Sequence, residues 1–294
     1  MGGIVVAAII TALLCLATYG TVLWFVAPRD ERRLLALLLA LQLPVSVGTF
    51  YLIRRPLDGA IHGLLGDAGG YRWITTLYAP LTEEPAKLWP LLLPPIARRV
   101  GRENAVRVGV ALGLGFGLGE IALVARFVQD APQFAALPWY SFGGFINERF
   151  MVCLAHGGFT TMALCGWRRW PIGLAGGLAL AMLLHFLANI AIPLVRLSPL
   201  GGNEALAGAI LSLWVTLFWV AFLGLLPLLN GPIGGATGGT SRSPGASLFG
   251  AATCRACGRA YARPAFGLNF GLRRLERCPH CKTWQWQAQF GARR

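Results

Sequence analysis

Charge is scarce in this chain, and lysine scarcer still. Only 13% of the 294 residues are charged against 55% hydrophobic, which excludes a disordered chain and the usual water-soluble globular profile. Of 26 basic residues only Lys87 and Lys282 are not arginine, and there are four histidines. No Lys or Arg precedes the first apolar run, which is also too long for a signal-peptide core, so it reads as a true span. Position six is Val where N-myristoylation requires Ser or Thr. Neither G-x-G-x-x-G nor H-E-x-x-H occurs, so a dinucleotide fingerprint and the common zinc-protease helix are both unmatched.

What is present is apolar length. Seven runs are long enough to cross a hydrocarbon core of about 30 Å: 4–27, 34–53, 73–97, 106–128, 142–166, 171–195 and 204–229. The expected fold is an all-α polytopic membrane protein of about seven transmembrane helices over 1–229, with membrane lipids as its surroundings. Arginine is unevenly spread between the loops. Arg29, Arg32, Arg33, Arg98, Arg99, Arg102, Arg107, Arg168 and Arg169 flank the odd loops, while Arg54, Arg55, Arg72 and Arg196 flank the even ones. With a basic tail and an odd span count, the positive-inside rule puts the N-terminus outside and the C-terminus in the cytoplasm of a plasma membrane.

After Leu229 the composition turns to Gly, Ser, Thr and Pro, which reads as a flexible linker over 230–250. Beyond it, in 251–294, Cys254-x2-Cys257 and Cys278-x2-Cys281 have the spacing of a four-cysteine zinc site, each pair offering two thiolates to one tetrahedral ion. A reducing cytoplasm favours metal over two disulfides. A unit of this size has too small a core to fold alone, so the zinc is expected to be structural, in a small β-type zinc ribbon. His280 sits inside the second knuckle. Zinc ribbons commonly serve as docking modules, and the basic charge suits an anionic leaflet. No nucleic-acid partner is expected, because no reading helix or stacking-strand motif accompanies the charge.

The costliest feature is Glu83-Glu84 within WITTLYAPLTEEPAKLWPLLLPPIA (73–97). One acidic residue at a helix centre costs roughly 2.5–3.5 kcal/mol, so the pair must face protein or trapped water. Glu120, Arg149, His156, His185 and Asn189 lie inside later spans and are explained in the same way. Counting about 1.5 Å per residue along each span puts Glu84, Glu120 and His185 near a depth of about 20 Å and His156 near about 15 Å. Helical spacing aligns Glu83 with Lys87, His185 with Asn189 and Arg149 with His156. Lys87 and Arg149 read as charge partners of the carboxylates. Gly109, Gly113 and Gly117 form one small-residue stripe and Gly115 and Gly119 another, allowing close helix approach. Pro85 predicts a kink or restart at Glu84.

E-E-x-x-K at Glu83, Glu84 and Lys87, F-x-x-x-E at Phe116 and Glu120, a lone His156, and H-x-x-x-N at His185 and Asn189 occur in this order. Together they resemble the PrsW family of glutamic-type intramembrane proteases, which is related to the type II CAAX prenyl endopeptidases. The CAAX branch has His where this chain has Glu120, so the resemblance points away from prenylated substrates. It implies a bacterial membrane endopeptidase acting on a membrane-anchored protein substrate such as an anti-sigma factor. Glu83 or Glu84 would be the general base. His185 and Asn189 would bind the oxyanion, and His156 and Glu120 would position water, substrate or leaving group. The same residues read alternatively as ligands of an intramembrane zinc, or as parts of a proton-coupled transporter or non-catalytic scaffold.

Overall fold

The computed structural model describes residues 2–66, 69–197, 203–230, 251–262, 268–270 and 273–288. They fall into two compact units, 1–222 and 223–294. The linker expected over 230–250 lies, beyond Asn230, outside the described residues.

The first unit is helical: α1 Gly3–Val26, α2 Arg32–Leu65, α3 Gly69–Lys87, α4 Ala105–Gln129, α5 Gly143–Arg168, α6 Gly173–Asn189, α7 Ala191–Leu197, and α8, Glu204–Asn230, which runs on into the second unit. Six helices are long and apolar enough to cross a membrane: Gly3–Val26, Arg32–Leu65, Ala105–Gln129, Trp139–Arg168, Gly173–Val195 and Ala205–Asn230. The chain is thus a multi-pass membrane protein. The seventh expected span, 73–97, is not one of the six. Its helix carries two carboxylates, Lys87, Pro80 and Pro85, stops at Lys87, and gives way to a 3-10 turn, Trp89–Leu92, and a four-residue helix, Pro94–Ala97. Six crossings would leave both ends of the chain on one side of the membrane, so the expected opposite placement of the two ends, and the grouping of the arginines by loop, depend on counting 73–97 as a span.

Two further expectations change. α3 runs through Pro85 and ends two residues later; a proline forfeits one backbone bond to the turn before it, and here the helix absorbs that loss. Arg54 is not in a loop, because α2 continues to Leu65. Its course includes a π-helical turn, Phe50–Arg54.

α4 and α5 form the enclosed centre, with α6 against α5 and the first half of α2 against α4. The two glycine stripes explain how. A Cβ on Gly113 would stand 2.2 Å from the His156 carbonyl oxygen of α5, and one on Gly119 would stand 2.0 Å from the Leu43 carbonyl oxygen of α2. One stripe admits α5 and the other admits α2. Gly113→Ala is therefore expected to destabilise the bundle by about 1–3 kcal/mol through overpacking, read as a lowered thermal midpoint in detergent. Gly208→Ala, with nothing within 4 Å of the new carbon, is the neutral control.

Polar and aromatic contacts tie the helices together. Arg107 at the start of α4 holds Glu31 in a bidentate pair at 2.8 Å and 2.8 Å, the strong form of carboxylate recognition. The Trp219 indole N–H donates to the Tyr19 hydroxyl at 2.7 Å, and Tyr19 stacks on Phe150 with centroids 4.7 Å apart.

The second unit includes two antiparallel sheets. β1 Ala251–Thr253 pairs with β2 Ala260–Ala262; β3 Leu268–Phe270, β4 Arg273–Arg277 and β5 Trp284–Ala288 form the other, in that order.

Candidate functional site

α3 brings its polar end into the bundle. Glu83, Glu84 and Lys87 are all buried, Lys87 at 0% exposure and Glu84 at 1%. The last turn of a helix leaves carbonyls without partners. Here α2 supplies one, as the Gln42 amide donates to the Lys87 carbonyl at 2.6 Å.

Lys87 is the hub. Its ammonium donates to Glu84 Oε1 at 2.6 Å and reaches His156 Nδ1 at 2.8 Å, while lying 4.7 Å from the Phe116 ring centroid. An ammonium only donates, so His156 Nδ1 is the acceptor and the ring proton sits on Nε2. That nitrogen faces Glu120 Oε2 at 2.9 Å, and Arg149 Nη1 holds the same oxygen at 3.1 Å. Arg149 also pairs with its neighbour Glu148. The spacing of seven between Arg149 and His156 thus puts both on one carboxylate.

From α6, His185 Nδ1 approaches Glu84 Oε1 at 2.6 Å. An ionised carboxylate only accepts, so Nδ1 carries the proton and Nε2 is the ring's other working atom. Phe159 stacks flat on the His185 ring with centroids 4.9 Å apart and 10° between planes. The two imidazoles are 5.5 Å apart, centroid to centroid.

Glu83 forms no ion pair with Lys87 among the described residues, contrary to the i,i+4 expectation; the lysine takes Glu84 at i,i+3 instead. Glu83 Oε1 accepts from Arg54 Nη1 at 3.1 Å, delivered by the π turn of α2. Its second oxygen is buried with no hydrogen-bond partner among the described residues, as is Glu84 Oε2. Glu83, His156 and His185 each present a ligand atom, and these atoms lie within 4.8 Å of one another.

The structure thus gathers Glu83, Glu84, Lys87, Glu120, Arg149, His156 and His185 into one cluster, buried except for the half-buried Glu120 and Arg149. Asn189, one turn beyond His185, has no hydrogen bond to it among the described residues. Arg54, Gln42 and Phe159 belong to the site but carry no motif. The only sequence signal for Arg54 is an arginine directly following an apolar run.

A second group lies in the other unit. The sulfurs of Cys254, Cys257, Cys278 and Cys281 fall within 4.8 Å of one another and are unbridged, a group that could hold a metal ion. Both pairs use the same turn. Gly258 N donates to the Cys254 carbonyl and Lys282 N to the Cys278 carbonyl, each at 2.9 Å, and both donors have positive φ, 69° and 62°. Glycine takes that conformation freely; Lys282 takes it at a steric cost. His280 is exposed. Beneath the turns, the Tyr261 hydroxyl donates to Glu276 Oε2 at 3.1 Å, and burial with that charge pushes Tyr261 up to about 12.

The chain matches no protein-family model, no curated protein and no solved structure.

Proposed function

We propose that the chain is an intramembrane endopeptidase of the glutamic type, hydrolysing peptide bonds of membrane-anchored protein substrates. The observation that carries this reading is Glu83: the carboxylate stands close to two imidazoles, Arg54 fixes one oxygen, and the other is buried with no hydrogen-bond partner among the described residues. That oxygen is the general base, taking a proton from a water that attacks the scissile carbonyl carbon. Glu84 Oε2 is also without a hydrogen-bond partner among the described residues, but Glu84 is not the base, because its Oε1 holds both Lys87 and His185, where Glu83 has Arg54 alone. His185 stabilises the developing oxyanion as the imidazolium, with Nδ1–H donating to Glu84 and Nε2–H to the oxyanion. Glu83 then passes the proton it took from water to the leaving amine, while His156, held between Lys87 and Glu120, positions the substrate.

A second reading, favoured by the 4.8 Å grouping, makes Glu83, His156 and His185 the ligands of a metal ion. The donor chemistry opposes it. Both His156 nitrogens are engaged, and Nδ1 faces an ammonium 2.8 Å away, where a divalent cation would meet like charge. Substrate trapping with the Glu83→Gln variant, followed by identification of the bound protein, tests the protease reading; capture of no membrane-anchored protein beyond that taken by the wild type counts against it. The metal reading predicts a bound ion in a variant lacking 251–294, whereas the glutamic reading predicts none by elemental analysis.

The four-cysteine unit is read as a zinc ribbon whose ion supplies most of its folding energy, serving the protease as a docking module. Chelation is expected to abolish amide-exchange protection across 251–288 while α4 and α5 keep theirs. Persisting protection in β4 and β5 would contradict a structural metal.

A further inference from the structure

Strand β5 presents its side chains inside out. The Gln285 amide donates to the Tyr261 hydroxyl at 2.9 Å, its carbonyl accepts from the Arg255 backbone N–H at 2.8 Å, and the Gln287 amide donates to the Thr253 carbonyl at 2.8 Å. Both glutamines are therefore held inward. Because successive strand residues alternate faces, Trp284 and Trp286 are turned out, 60% and 42% exposed. Exposed large aromatics on a sheet that buries amides instead mark a surface made to meet something.

The charge around this face has one sign. Antiparallel register sets Arg277 beside Trp284 and Leu275 beside Trp286. Arg277 is exposed and donates to the carbonyl of Lys282, also exposed, at 3.0 Å. The single carboxylate in 251–294 is Glu276, which is buried at 1% exposure. No acidic side chain is exposed among the described residues of 251–288.

We propose that the face formed by Trp284, Trp286 and Arg277 docks on the anionic surface of a lipid bilayer. Tryptophan favours the headgroup level, where its ring is half apolar and half polar, and basic side chains are drawn to anionic headgroups. Twenty residues, 231–250, separate β1 from Asn230 at the end of the last membrane-crossing helix. Even fully extended they reach at most about 70 Å, so a bilayer surface is always at hand. A single-stranded nucleic acid would match the same charge and stacking, but nothing tethers one to the chain.

The test uses the full-length protein in lipid nanodiscs carrying brominated acyl chains, which quench nearby indoles. Subtracting the signal of a W284S/W286S variant isolates this pair from the rest of the ten tryptophans. Quenching of the difference signal is expected in discs containing phosphatidylglycerol. It is expected to be lost in pure phosphatidylcholine discs, and lost again in about 1 M salt, where the Debye length falls to about 3 Å. R277Q, checked for unchanged metal content, is expected to weaken it. No quenching in either disc, or equal quenching in both, would overturn the proposal. Quenching produced only by an added single-stranded RNA oligonucleotide would overturn it in favour of nucleic acid.

Discussion

Glu83→Gln is expected to lower the rate of peptide-bond cleavage by about 10²–10⁴-fold, the range that a positioned general base contributes. Glutamine keeps the shape of the side chain and can still accept from Arg54 through its carbonyl oxygen. It removes only the capacity of the free oxygen to take a proton. Protein yield and thermal midpoint are therefore expected to stay near wild type, so that the loss reads as chemistry. Glu84→Gln is expected to behave differently, because Oε1 of Glu84 joins Lys87 to His185. It lowers the thermal midpoint together with the activity. The contrast is measured by following one co-expressed membrane-anchored substrate with each variant at matched protein levels. Full activity of Glu83→Gln would end the glutamic reading.

Lys87→Met is expected to cost about 3–5 kcal/mol of stability, since it leaves Glu84 as an uncompensated charge away from water. The side chain length is nearly kept, so the loss reports charge and not a cavity. Adding Glu84→Gln to Lys87→Met is expected to restore much of that stability, as the stranded charge is then gone. A double-mutant cycle on thermal unfolding in detergent measures the coupling. Strict additivity of the two substitutions would mean that the pair is not the unit drawn here. Neither variant is expected to recover activity, because without the ammonium His156 Nδ1 loses its donor and the joint between Glu84 and His156 is gone.

Much of this network was legible before any coordinates, for an energetic reason. An ionisable group in an apolar span must face protein, and when several spans each carry one they have few places to go except toward each other. Glu84, Glu120, His156 and His185 met on that logic alone. The glycine stripes were legible because their spacing leaves little else for them to do, and each admits a different helix. What escaped had no such mark. Gln42 and Phe159 are ordinary residues whose roles come from what they touch. Arg54 was misread because an arginine after an apolar run resembles a membrane boundary, whereas α2 continues past it. Lys87 was aligned with Glu83 by spacing, yet at the end of a helix i+3 and i+4 lie almost equally close, and only the neighbours on α5 and α6 decide between them. The length of the run 73–97 hid its division into a helix ending at Lys87, a 3-10 turn and a four-residue helix, the last two each with proline in the first two positions.

The π turn at Phe50–Arg54 carries a consequence for how α2 tolerates change in length. It holds one residue more than an α-helical turn, and each residue of a helix corresponds to about 100° of rotation. Removing one residue of the turn lets it relax to an ordinary α-helical turn, whereas removing one from the regular α-helix before it would swing the guanidinium of Arg54 by about 100° around the helix axis and off Glu83. Removing one residue beyond Leu65 would leave it in place. The register of a single helix, more than the identity of any side chain on it, then decides whether the free oxygen of Glu83 is aimed at all.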